Sequence, residues 1–138
     1  MTPGIIITFD HAMPYLEPES VIHGTYRFVD VRIQEIARVE FSVLWFTEGK
    51  GDEDLGVHHF ERLGADDEAF SRFRDGFNDS QTFAFHVPLP RSPLSYYGKI
   101  LKIRWCVRVR LYFKSGREIN SEKPFALGNL PPVEVELN

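Results

Sequence analysis

Cysteine is almost missing from this sequence, since Cys106 is the only thiol in 138 residues. A single thiol excludes a disulfide framework within the chain, and it excludes metal sites that are built on several thiolates. Because stable disulfides are typical of oxidising compartments, the sequence favours a reducing, cytoplasmic location.

Long apolar runs are also missing. No window approaches the roughly 18 apolar residues that a membrane-spanning helix requires, so we predict no integral membrane segment. The stretch Met1–Asp10 has no basic segment leading into a long apolar run, as a secretory signal would have.

Positive charge is in deficit, because 16 Lys and Arg stand against 20 Asp and Glu for a net charge of −4. Proteins that bind duplex nucleic acid usually have a positive balance, so we predict no nucleic-acid partner. The charge is distributed unevenly. Eight basic residues and no acidic one lie from Arg91 to Arg117, whereas ten acidic and four basic residues lie from Glu48 to Asp79.

Apolar and polar residues alternate along several segments. In Ile103–Leu111 every odd position is large and apolar, while three even positions are arginine. Val39–Trp45 and Phe83–Val87 follow the same rule. A period of two is typical of a strand with one face in a core and one in water. We expect the largest of these rings to meet between two facing sheets, namely Trp45, Phe83, Phe85 and Trp105.

Weaker strand patterns are separated by turn residues, and Ser115-Gly116 is a good hairpin turn between Ile103–Leu111 and one of them. These weaker strands are predicted at Ile5–Phe9, Val21–Val29, Val57–Leu63, Glu118–Ser121 and Val133–Leu137. Frequent turns between short strands indicate one all-β domain over residues 1–138, either a sandwich or a barrel. Of the two we favour an immunoglobulin-like antiparallel β-sandwich of about seven to nine strands. Phe70, Phe73 and Phe77 have the spacing of a short helix near 66–76, or of an ordered loop pinned by its rings.

The order of residues from Phe83 to Leu111 has a recognisable form. Alternating aromatic residues lead to Leu89-Pro90 and then to Pro93-Leu94-Ser95, and after Gly98 a strand of alternating Val and Arg opens with Ile103-Arg104-Trp105. This order resembles the N-terminal lobe of arrestin-like proteins. Softer matches extend the resemblance to Val21-Ile22-His23-Gly24 and Glu122-Lys123-Pro124-Phe125.

The resemblance implies an arrestin-like sandwich and an adaptor role. Family members with known roles have two lobes and bind membrane-protein tails, ubiquitin ligases or trafficking machinery. This chain is long enough for one lobe, and Pro131-Pro132-Val133-Glu134 is not the Pro-Pro-x-Tyr motif that recruits ligases.

The backbone chemistry of proline, serine and glycine explains the loop from Pro88 to Gly98 in the same way. Pro88, Pro90 and Pro93 cannot donate hydrogen bonds to a ladder, so they end one strand and stiffen the loop. We expect Ser95 to bond locally to the turn, and Gly98 to adopt a positive φ where the next strand starts.

Arg104, Arg108 and Arg110 are the main candidates for a binding site, with Arg91 and Lys99 as further basic candidates. Same-face residues lie about 7 Å apart along a strand, so these guanidiniums could bind an acidic peptide, phosphate or carboxylate. The alternative is a solvated outer face whose arginines pair with Glu35, Glu40 or the acidic segment 48–79.

No catalytic, cofactor or metal site is predicted. Adjacent strand residues such as His58 and His59 point to opposite faces and cannot both bind one ion without distortion. Cys106 could act as a nucleophile with His86, but it lies on the arginine face of a strand rather than at a sharp turn or helix N-terminus. Ser95 lacks the glycines of a nucleophile elbow.

The sequence therefore predicts a non-catalytic protein-interaction or scaffold domain that binds a protein or acidic peptide by a sheet edge or by its basic outer face. Self-association through edges is a further prediction. The alternative is a small-ligand or carbohydrate-binding sandwich, which would need a cleft lined by exposed rings such as Tyr96, Tyr97 and Tyr112.

Overall fold

The computed structural model describes residues 2–11, 15–49, 51, 53–64 and 82–128, and strands account for most of these positions. A 3-10 turn lies at Ile33–Glu35. The strands are β1 (Gly4–Phe9), β2 (Tyr15–Leu16), β3 (Val21–Val29), β4 (Ile36–Gly49), β5 (Leu55–Gly64), β6 (Phe83–Pro88), β7 (Tyr96–Tyr97), β8 (Leu101–Phe113) and β9 (Glu118–Leu127).

The strands form two sheets. The small sheet has the order β1-β3-β6, and the large sheet has the order β2-β9-β8-β4-β5, with β7 paired to β8 beside β9. Neighbouring strands are antiparallel, except that β2 runs parallel to β9 through the pairs Tyr15–Ala126 and Leu16–Leu127. In the described part of the chain, β5 is an edge of the large sheet, and β1 and β6 are the edges of the small one.

The core between the sheets follows the alternation in the sequence. The odd positions of β8 from Trp105 to Phe113 are buried, and so are Val39, Phe41 and Val43 on the neighbouring strand β4. The rings of Phe41 and Phe85, which belong to different sheets, have centroids only 4.9 Å apart. Of the four rings expected in the core, Trp105 and Phe85 are buried, while Trp45 and Phe83 are partly buried and pack against it.

Several strand boundaries agree with the sequence patterns. Val21–Val29 has the predicted bounds, whereas β9 continues beyond Ser121 to Leu127 because Phe125 and Leu127 belong to the core. Gly116 has a φ of +95° and donates its N–H to the carbonyl oxygen of Phe113, which confirms the predicted hairpin turn. The predicted helix near 66–76 and the predicted strand 133–137 lie outside the described residues.

The proline-rich connection after β6 is attached to the core by two side chains. The indole Nε1–H of Trp105 donates to the carbonyl oxygen of Pro93 at 2.7 Å. The hydroxyl of Ser95 accepts the backbone N–H of Leu127 at 2.8 Å, and the N–H of Ser95 donates to the carbonyl oxygen of Leu127. The prediction of a local bond for Ser95 is therefore wrong, because this side chain ties the loop to β9 instead.

Gly98 also differs from its prediction, because it is not among the glycines with positive φ. A Cβ atom at this position would collide with the ring of Tyr96. Because Tyr96 is half exposed, its ring can turn away from such an atom, so neither this contact nor the backbone angle requires glycine here.

Replacement of Trp105 by alanine tests the core. Trp105→Ala leaves a large cavity and an unpaired Pro93 carbonyl, so we expect the free energy of unfolding to fall by about 3–5 kcal/mol in urea titrations. Ile100, whose side chain is 72 % exposed, provides the control. Ile100→Ala should change the stability by less than about 0.5 kcal/mol. Equal effects of the two substitutions would contradict this account of the core.

Replacement of Ser95 tests the attachment of the loop. Ser95→Ala leaves the buried N–H of Leu127 without its acceptor, and we expect a loss of about 1–3 kcal/mol. Ser121→Ala on β9 is the matched control, since no hydrogen bond involves the hydroxyl of Ser121 among the described residues. A loss no larger than that of the control would show that the Ser95 bond is unimportant.

Candidate functional site

The outer face of the large sheet carries the predicted arginines. Even-numbered residues of β8 point away from the core, and the register with β4 places Arg104 beside Phe46, Arg108 beside Ser42 and Arg110 beside Glu40. The alternation thus correctly assigned the three guanidiniums to one face.

Two of these arginines are paired with carboxylates. Arg104 Nε lies 2.6 Å from Glu48 Oε1, and Arg108 Nη2 lies 2.6 Å from Glu122 Oε2 on β9. Both pairs are partly exposed, so each is expected to stabilise the fold by only about 0–1 kcal/mol. These pairs weaken anion binding at Arg104 and Arg108, because an incoming anion has to displace a carboxylate that is already bound.

Arg110 is different, because its Nε is buried and has no hydrogen-bond partner in the described structure. The neighbouring carboxylate of Glu40 accepts from Arg38 Nε at 3.0 Å and from the hydroxyl of Tyr112 at 3.3 Å. The side chain of Arg38 also lies over the Tyr112 ring. At this end of the face, Arg38, Glu40 and Tyr112 form a small polar network. Arg110 lies beside it, and its Nε forms no hydrogen bond with the described residues.

The other two basic candidates lie elsewhere. Arg91 follows β6 and pairs with Glu19 at 2.9 Å, with both side chains well exposed. Lys99 lies in the turn between β7 and β8 and is exposed. The five basic residues named from the sequence therefore do not form one site.

A second surface on the same face was missed by the sequence patterns. Leu55, Val57 and Phe60 of β5 are exposed at 57 %, 53 % and 52 % of their surface. The register places them next to Phe46, Leu44 and Ser42 of β4, on the outer face. We call Leu55, Val57 and Phe60 the β5 stripe. It follows the edge strand of the large sheet, and contiguous exposed apolar residues of this kind mark interaction sites.

A β-bulge explains why the stripe is not visible in the sequence. Val43 pairs with His59 but Leu44 pairs with Val57, so His58 is an extra residue. His58 instead turns inward, where its Nε2 lies 2.7 Å from the carbonyl oxygen of Pro88 and its ring meets Trp105 edge-on. Val57 and Phe60 therefore share a face although they are three residues apart, which breaks the period of two.

Between the β5 stripe and the arginines, two outward-facing side chains are apolar and buried. Leu44 and Cys106 lie side by side in the register and are 1 % and 3 % exposed. A shallow depression of about 410 Å³ lies on this side of the sheet and has a mixed lining, which comprises Phe46, Thr47, Glu48, Glu53, Asp54, Leu55, Arg108 and Glu122.

The prediction that His58 and His59 point to opposite faces is wrong, because the bulge turns His58 toward the inner face on which His59 lies. The residues considered for catalysis do not converge. Cys106 is on β8 of the large sheet, whereas His86 is on β6 of the small one, beside His23. Among the described residues, no three His, Cys, Asp or Glu side chains are placed to hold a metal ion. The described residues also contain no helix that is long and apolar enough to cross a bilayer.

Of the three tyrosines in the alternative hypothesis, Tyr112 lies far from Tyr96 and Tyr97. Tyr97 pairs with Lys102 near the start of β8, and Tyr112 lies at the other end of that strand. Ten residues of strand separate these positions by about 33 Å. Tyr96, Tyr97 and Tyr112 therefore line no common cleft.

The comparisons with known proteins agree with the fold. No protein-family model and no curated protein matches the chain. Among solved structures, the chain is similar to Spo0M, the sporulation control protein of Bacillus subtilis, with a TM-score of 0.62 and 13 % sequence identity. The match covers 94 % of this chain and 50 % of Spo0M, so the chain spans half the length of that protein. The predicted all-β, arrestin-like sandwich is confirmed.

The environment of Cys106 gives a testable pH dependence. Burial raises the pKa of the Cys106 thiol to about 12, with the carboxylate of Glu122 raising it further and Arg108 opposing. Since an unfolded cysteine has a pKa of about 8.5, the folded state holds the proton more tightly. The resulting stability is present below about pH 8.5 and is lost as the pH rises toward the folded value.

We therefore expect the free energy of unfolding of the wild-type chain to fall more steeply above about pH 8.5 than that of Cys106→Ala. Urea titrations of both proteins across the alkaline range measure the two slopes. The thiol should also react slowly with iodoacetamide until the chain is unfolded. Parallel slopes together with rapid labelling of the native protein would contradict this account.

Proposed function

We propose that this arrestin-like domain is a non-catalytic protein-interaction or scaffold module of the cytoplasm, and that it binds an extended segment of a partner protein along β5. The observation that carries the proposal is the β5 stripe, three large apolar side chains more than half exposed on an edge strand. The regulatory description of Spo0M as a sporulation control protein is compatible with such a role.

Edge strands and apolar stripes act together in this kind of recognition. An edge strand presents unpaired backbone N–H and C=O groups, to which an extended segment can add as a further strand. The β5 stripe would then contact alternate side chains of that segment, which supplies specificity. A partner segment that places apolar side chains on one face fits this surface best.

Binding at the arginine face stays a separate prediction. An acidic peptide there would replace the carboxylates of Glu48 and Glu122, which already contact Arg104 and Arg108. Arg110 has no such carboxylate to exchange, and it is the residue at which a bound anion would gain most.

Affinity capture with mass spectrometry tests the proposal with four full-length proteins. They are the wild type, the stripe variant Val57→Lys/Phe60→Lys, the control Ile100→Lys at another exposed apolar position, and the variant Arg104→Ala/Arg108→Ala/Arg110→Ala. We expect partners that the wild type and the control retain and that the stripe variant loses. Partners retained equally by all four proteins would refute both surfaces. Partners lost only by the arginine variant would move the site to that face.

A further inference from the structure

We infer that a second copy of this chain occupies the β5 edge, with the two β5 strands paired antiparallel about a two-fold axis. The inference rests on the proposed function and deepens it, because it identifies the segment that pairs with β5 as the β5 strand of a second copy. Two features of β5 support the inference: the position of its bulge and the positions of its charged residues.

The bulge at His58 selects one register. Leu55 and Val57 face outward before the bulge, and Phe60 and Arg62 face outward after it. In an antiparallel pair, directly opposed residues share a face. Each outward-facing residue lies opposite an outward-facing residue of the second copy, along the whole strand, only when Val57 lies opposite the second copy's Phe60. The axis then passes between His58 and His59, and Leu55 lies opposite the second copy's Arg62.

This register makes the two stripes continuous. The second copy's Phe60 and Leu55 extend the row of apolar side chains across the axis on the outer face. Apolar and aromatic cross-strand pairs of this type stabilise sheets. The pairing also satisfies backbone groups along two edges, and it joins the two large sheets into one.

The charges at the ends of β5 favour the same arrangement. Glu53 and Asp54 precede the strand and Arg62 lies near its end, and all three are exposed. Within the described residues, none of the three forms an ion pair. Antiparallel pairing brings Glu53 and Asp54 of each copy near Arg62 of the other, with Glu53 on the diagonal of the second copy's Arg62. Glu61, which precedes Arg62, contacts His59 within its own copy. The edge is thus complementary to itself in charge as well as in shape.

Sedimentation equilibrium of the full chain over a range of concentrations measures the association. We expect a reversible dimer whose dissociation constant rises about tenfold or more in Phe60→Lys. Ile100→Lys should leave this constant unchanged. Circular dichroism of each variant verifies that it is folded.

A charge-exchange experiment tests the register itself. Arg62→Glu alone and Glu53→Arg/Asp54→Arg alone each place like charges opposite one another, so each protein should dimerise more weakly than the wild type. In a heterodimer of the two variants, opposite charges face each other at both ends of the paired strands. We expect the mixture to form a heterodimer at concentrations at which each variant alone is monomeric, and added salt should weaken it.

Three outcomes would overturn the inference: a wild-type monomer at every concentration, a dimer that Phe60→Lys leaves intact, or a mixture no more associated than its components. A monomeric wild type that still loses its captured partners in the stripe variant would leave the proposed function standing. Captured partners that the stripe variant retains, together with a wild-type dimer that Phe60→Lys dissociates, would instead refute the partner proposal alone.

Discussion

The burial of Trp105 between the sheets is the contact on which the structure depends most. Its indole is 1 % exposed, packs against Phe125 at 5.8 Å between ring centroids, and donates to the carbonyl oxygen of Pro93. One side chain therefore fixes the central strand β8, the closing strand β9 and the proline-rich loop. Because successive residues of a strand alternate in direction, this inward position also determines that Arg104 and Cys106 face outward.

The parts of the fold that were predictable are those governed by this alternation. A period of two fixes which face of β8 and β4 is buried, and Ser115-Gly116 has the local chemistry of a tight turn, so each could be read from nearby residues. The β5 stripe could not be predicted from nearby residues, because it depends on the bulge in β5. The extra residue His58 turns toward Pro88 of the other sheet, which is 30 positions away in the sequence, and no local pattern contains that information.

The predicted binding site shows a similar division. The sequence identified the face of Arg104, Arg108 and Arg110, but the carboxylates of Glu48 and Glu122 reach it from other strands through pairings that depend on register. Local charge excess along the chain thus did not translate into a free cationic surface. Apolar exposure on β5, which is a property of the assembled sheets, became the stronger indication of where this domain meets another protein.

The inward turn of His58 has a structural consequence. It connects the edge of the large sheet to the end of β6, and its ring also touches Trp105, the residue that holds the following loop. A chain that pairs with β5 would therefore lie next to the side chain that joins this edge of the large sheet to the end of β6 in the small one.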